Sequence, residues 1–215
     1  MLKVGCEYTK AEMVQMLGTQ SKQGIKRKLE RYGVVFEVIG KGESVIYKIN
    51  HIQDPFKVFA IIELDFDGNT DFTKLRNFYY LYFESEDFRP MPDEVKEVWM
   101  RRMGKPLSRQ TIANYTNRLE SNNLINRYTK NYIYYFANKQ EQRFCNHTEY
   151  AQAWYEYWDD IASGLNCYDA IANMRTDHGG VARKQPVPEI NGIYNEKIEY
   201  MLSLIQQSFE NEYTG

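Results

Sequence analysis

The same order of segments occurs twice in this chain of 215 residues. Each time a capped amphipathic helix is followed by a turn, a basic helix and two β-rich runs. A short amphipathic helix buries its apolar side only against a neighbour, so each copy reads as a small helix-and-hairpin module. The expected fold class is therefore mainly α with small β-hairpins, an α+β arrangement, with a helical C-terminal region after the second copy.

The first copy spans about residues 8–49. Thr9 and Glu12 form a capping box, Met13, Val14, Met16 and Leu17 supply an apolar face, and Gly18 stops the helix. Ser21 caps a second helix to Tyr32, with Ile25 and Leu29 one turn apart and Gly33 at its end. The runs 34–39 and 44–49 flank a Gly-Lys-Gly tip, a hairpin pattern. Residues 54–88 are aromatic. Within them, 56–64 suits a buried strand or a helix, and Asp71 caps a helix carrying Leu75, Phe78, Tyr79 and Tyr82.

The second copy opens at Pro92, with Val95, Val98, Trp99 and Met103 at helical spacing. Residues 104–107 form its turn, and Ser108 caps a helix with Ile112, Tyr115 and Leu119 inward. Residues 124–128 and 132–136 are expected to pair as a second hairpin around Thr129-Lys130-Asn131. A helix from Asn146 to Ser163, a Gly/Pro loop over 179–192 and a final helix bearing Ile198, Met201, Leu202, Ile205 and Phe209 complete the chain. The expected domains are 1–53, 54–143 and 144–215.

Charge is segregated. Residues 1–50 hold 9 Lys/Arg against 5 Asp/Glu, and residues 96–143 hold 10 against 3, so both modules are basic. Residues 144–215 reverse this, with 4 against 11. Local charge, not the overall −2, sets attraction to a polyanion. Three cysteines do not make a disulfide framework, and the best apolar run, 58–64, is far too short to span a bilayer, so the expected setting is the cytoplasm, with no membrane partner.

The segment Ser108-Arg-Gln-Thr-Ile-Ala-Asn-Tyr-Thr-Asn-Arg-Leu-Glu-Ser-Asn-Asn-Leu-Ile125 resembles the recognition-helix segment of bacterial winged helix-turn-helix regulators. Ser108, Thr111, Ile112, Leu119, Glu120, Leu124 and Ile125 carry the likeness. Asn123 stands where that family usually has Gly, and Asn is the next most tolerant residue for positive φ. The first copy resembles the family more loosely, through Thr9, Glu12, Leu17, Gly18, Ser21, Ile25, Leu29 and Gly33. The resemblance implies two winged helix-turn-helix domains that bind double-stranded DNA.

In such a unit the second helix enters the major groove with its N-terminal half near base edges. In the second copy Ser108, Arg109, Gln110, Asn114 and Asn117 would face the duplex, Arg suiting guanine and Gln or Asn suiting adenine. In the first, Ser21, Lys22, Gln23, Lys26 and Arg27 would do so, and are richer in phosphate-type contacts. Lys41 and Lys130 mark the hairpin tips, placed to reach backbone or minor groove.

Other signals carry less. Cys145, His147, Cys167 and His178 match no zinc spacing, Gly179-Gly180 follows no strand, and Glu156, Asp159 and Asp160 share one helix. No metal, cofactor or catalytic set is expected. Trp154 to Trp158 suits a core or a partner surface. The expected function is sequence-specific DNA binding by a transcriptional regulator of a bacterium or mobile element, dimeric through its acidic C-terminal helices. The alternatives are a replication initiator with tandem winged helices, or a phage-type protein-binding inhibitor or adaptor acting through residues 144–215.

Overall fold

The computed structural model describes residues 1–138 and 142–213. Helix makes up 55% and strand 17%, in small antiparallel sheets, as the α+β expectation requires. Among the described residues no helix is long and apolar enough to cross a membrane. The chain divides into two compact units. One comprises Met1–Tyr80, Asn114–Leu124 and Gly192–Gly215; the other comprises Leu81–Ala113 and Ile125–Asn191.

The first unit begins with strand β1 (Glu7–Thr9), helices α1 (Lys10–Leu17) and α2 (Lys22–Arg31), then strands β2 (Val34–Ile39) and β3 (Ile46–Ile52). Thr9 and Glu12 close the capping box, and Gly18 ends α1 at φ 61°. The β2–β3 hairpin pairs Ile39 with Ile46, and β3 also pairs β1, so the sheet order is β1-β3-β2. Met13, Ile25, Leu29, Tyr47 and Ile49 are fully buried between the helices and this sheet.

Residues 55–64 form a helix, α3 (Pro55–Leu64), not a strand. Asp54 accepts from the Lys57 amide at 2.9 Å, and Pro55 sits in the first turn, where its missing N–H costs nothing. Helix α4 (Phe72–Glu84) is capped by Asp71, whose carboxylate accepts the Lys74 amide at 3.1 Å. Phe66, Phe78 and Tyr79 join Tyr115 in a cluster with ring centroids 5.7 to 6.3 Å apart. Burial there pushes the Tyr115 hydroxyl up to about 12, with Asp71 adding to the rise.

The last helix, α9 (Asn195–Tyr213), buries Ile198, Met201, Leu204 and Ile205 within the same unit. Tyr200 meets Phe59 at 5.9 Å, and Lys197 donates to the Glu63 carbonyl at 3.1 Å. The apolar side of α9 is therefore covered by its own chain.

The second unit contains helix α5 (Asp93–Arg102) and the first residues of α6 (Arg109–Ser121). Strands β4 (Ile125–Asn126), β5 (Tyr132–Ala137) and β6 (Gln142–Cys145), helices α7 (His147–Ala162) and α8 (Cys167–His178), and strands β7 (Val181–Pro186) and β8 (Glu189–Ile190) follow. The hairpin expected between 124–128 and 132–136 does not form. β4 pairs β8, and β5 lies between β6 and β7. The link between β4 and β5 does not reverse the chain, because it is stitched to the β7–β8 segment. Thr129 donates to the Val187 carbonyl at 2.8 Å, and the Val187 amide donates to Asn131 at 2.9 Å. Lys130 is exposed on this link and marks no hairpin tip.

The expected loop over 179–192 holds both β7 and β8. Gly179 takes φ 74° as the stop of α8. At Gly180 an added Cβ would stand 2.8 Å from the backbone nitrogen of Ala137. We expect Gly180→Ala to lower stability by about 1–3 kcal/mol, since backbone cannot step aside as a side chain can. Urea unfolding checks this. Below that turn Phe136, Ala153, Met174 and Ala182 make a small core.

Candidate nucleic-acid interface

In the first unit the Ser21 hydroxyl accepts the Gly24 amide at 2.9 Å and starts α2. Gly24 suits this position because a Cβ there would meet the Ser21 hydroxyl oxygen at 2.8 Å and the Thr19 side chain. Ile25 and Leu29 face the core, which fixes the rotation of the helix. Ser21, Lys22, Gln23 and Arg27 are exposed, and Lys26 is half-buried.

The cations of α2 divide into two groups. Lys28 donates to the Leu17 carbonyl at 2.6 Å, satisfying the end of α1, and Arg31 donates to Asn69 at 3.2 Å. Those two hold the fold. Among the described residues, Lys22, Lys26 and Arg27 make no ion pair or hydrogen bond through their side chains. Lys41 is exposed between β2 and β3, where Gly40 and Gly42 both take positive φ.

The corresponding helix of the second copy differs. Ser108 caps α6 through the Thr111 amide at 3.2 Å, and its hydroxyl meets that of Thr111 at 2.9 Å. Arg109 is 60% exposed at its side chain, yet it is held by two carboxylates of α5. Its Nη1 lies 3.2 Å from Glu94, and its Nε lies 3.2 Å from Glu97. Glu97 also binds Arg101 at 3.2 Å. A guanine contact needs two donors of the guanidinium fork, and two of those donors already serve carboxylates. Arg109, expected as a base reader, is thus paired with two carboxylates of α5. Gln110, Asn114 and Asn117 are exposed at helical spacing along α6. Asn123 takes φ 58°, the conformation for which Gly is usual.

Sequence reasoning missed Glu94 and Glu97. The signal was there, since two acids three apart on α5 precede a short turn and a basic first residue on α6. It also passed over Arg101, Arg102 and Lys105, which are exposed around that turn. Elsewhere His178 bonds Glu156 at 2.7 Å and stacks on Phe136 at 5.2 Å, tying α8 to α7. Hydrogen bonds from Gln152 and then His178 hold the Glu156 carboxyl below the usual range. Among the described residues no group of three or more His, Cys, Asp or Glu is placed to hold a metal ion.

Neither a protein-family model, nor a curated protein, nor a solved structure matches this chain. Its function rests on its own geometry.

Proposed function

We propose that the chain binds double-stranded DNA through its first helix-turn-helix, with α2 as the groove helix and the β2–β3 hairpin as a wing, and that it serves as a site-specific regulator. One observation carries this reading: Lys22, Lys26 and Arg27 lie on a helix whose Ile25 and Leu29 are buried, and among the described residues their side chains make no ion pair or hydrogen bond, while Lys28 and Arg31 are tethered. Three cations on one capped helix supply phosphate contacts, and Gln23 supplies a base-edge contact beside them. The strand order β1-β3-β2, with β1 before the two helices and the β2–β3 hairpin after them, supports a winged helix here.

The second copy is read as a modified winged helix. Helices α5 and α6 are followed by β4, and the partner of β4 is β8, so residues 127–188 stand inside what would be the wing. Gln110, Asn114 and Asn117 remain as candidate readers. The Arg109 clamp implies weak engagement by this helix in the form described. Replacing Glu94 and Glu97 together by glutamine frees Arg109, and DNA affinity is then expected to rise about threefold to tenfold, since an exposed Arg–carboxylate pair is worth little. Fluorescence anisotropy on a duplex library checks this.

Binding whose log affinity falls linearly with log salt supports the reading, and affinity indifferent to salt removes it. A replication initiator with tandem winged helices would bind repeated sites by the same surface, which the selected sequences would reveal. The adaptor reading is favoured by the exposed rings of Tyr155, Trp158 and Tyr168 on α7 and α8.

A further inference from the structure

Helix α7 has two apolar sides. One is core, with Ala153 buried and Trp154 and Tyr157 packed on it. Helical spacing puts Tyr155, Trp158, Asp159 and Ala162 together on another. There Tyr155 is 69% and Trp158 61% exposed, which is unusual for rings of this size away from an interface. The segment 147–178 holds six carboxylates against the single cation Arg175.

The C-terminal end of helix α5 and the turn after it carry the opposite charge, in Arg101, Arg102 and Lys105, with a similar apolar content, while the acids Asp93, Glu94 and Glu97 stand in the first half of the helix. Val98, Trp99, Arg102 and Met103 share one side, and all four are exposed. Arg101 and Lys105 flank them on the exposed surface. The basic side of α2 offers charge without exposed apolar side chains, so it does not match α7 in this way.

We infer that a second copy of this chain docks its α5 face onto the α7 face, head to tail. Trp99, Val98 and Met103 of one copy would cover Tyr155 and Trp158 of the next, with Arg102 facing Asp159 at the rim. Two acidic α7 faces would repel each other, as would two basic α5 faces, so charge selects the unlike pairing over a twofold one. A contact between unlike surfaces leaves one of each kind free at the ends, so association continues beyond two copies. The inference does not depend on DNA binding.

Sedimentation equilibrium of the full chain without DNA tests it, from low to high micromolar. The weight-average mass is expected to rise with concentration and to fall when salt is added. Asp159→Lys and Arg102→Glu are each expected to weaken association about tenfold, by placing like charges across the rim. Mixed in equal amounts, the two variants regain it, because each brings the charge the other lacks. Trp158→Ala abolishes association while the melting temperature stays put. A wild-type chain that remains monomeric throughout overturns the inference and leaves the α7 face to some other basic partner. Charge reversals without effect, or a mixture that fails to reassociate, overturn it as well.

Discussion

Replacing Lys26 and Arg27 together by glutamate is expected to lower affinity for duplex DNA by roughly a hundredfold at moderate salt, and to do so for every sequence alike. Both side chains stand on α2, whose inward Ile25 and Leu29 are fully buried and leave the helix no freedom to rotate. Each lost phosphate contact makes the slope of log affinity against log salt shallower by about 0.9, so the pair should remove about 2 from it. Lys28 provides the control. Its ammonium is bound to the Leu17 carbonyl at 2.6 Å, so Lys28→Ala should lower the melting temperature and leave the slope unchanged. Gln23→Ala should instead narrow the difference between preferred and random duplexes. An unchanged slope in the double variant, with the fold intact by circular dichroism, would remove α2 from the interface.

The second large effect concerns Lys96, which is 1% exposed in the second unit. Its ammonium sits 5.4 Å from the Tyr82 ring centre and 6.0 Å from that of Phe88, with Asp93 at 3.7 Å. Burial outweighs the attraction of Asp93 and brings the amine down to about 8. The unfolded chain therefore holds this proton up to the ordinary lysine value, while the folded chain releases it near 8. Between those two pH values the unfolded state binds more protons, so stability rises with pH across that window. The interval corresponds to roughly 3 kcal/mol of penalty carried by the charged form at neutral pH. Lys96→Met removes the charge and keeps most of the volume. It should raise stability at pH 7 by about 1–4 kcal/mol and flatten this part of the pH profile. Lys96→Arg keeps a charge that cannot leave, and should destabilise at every pH. Denaturation curves at pH 7, 8, 9 and 10 compare the three chains. If wild type and Lys96→Met give parallel profiles, the buried ammonium is not the cause.

These effects differ in how far the sequence announced them. The α2 cations were legible because the pattern of Ile25 and Leu29 set the inward side, and Ser21 set the start of the helix. Lys96 was not, since a lysine at helical spacing ordinarily points to water. It is buried because Tyr82 and Phe88 fold over it, and no local pattern in α5 records their approach. Arg109 is an intermediate case. Its exposure was foreseen from the helix, but the acids of α5 that hold it were visible only as composition.

The sheets show the same divide. The β2–β3 hairpin was read correctly, because its tip glycines and its two β-rich runs lie within a few residues of one another. The second hairpin was misread, because Ile125 pairs with Ile190 and Tyr132 with Pro186, far along the chain. A run of β-formers states that a strand forms, yet not which edge it joins.

By itself, then, the chain's sequence determined several of the helix boundaries. Thr9, Ser21, Asp54, Asn146 and Asn123 act on amides or torsions within one turn of themselves, and such interactions need no distant partner. Tertiary structure alone decided which strand β4 and β5 joined, which carboxylates captured Arg109, and which apolar sides were covered. Those outcomes turn on competition among distant segments whose individual contacts are of similar strength, and only the assembled fold selects among them.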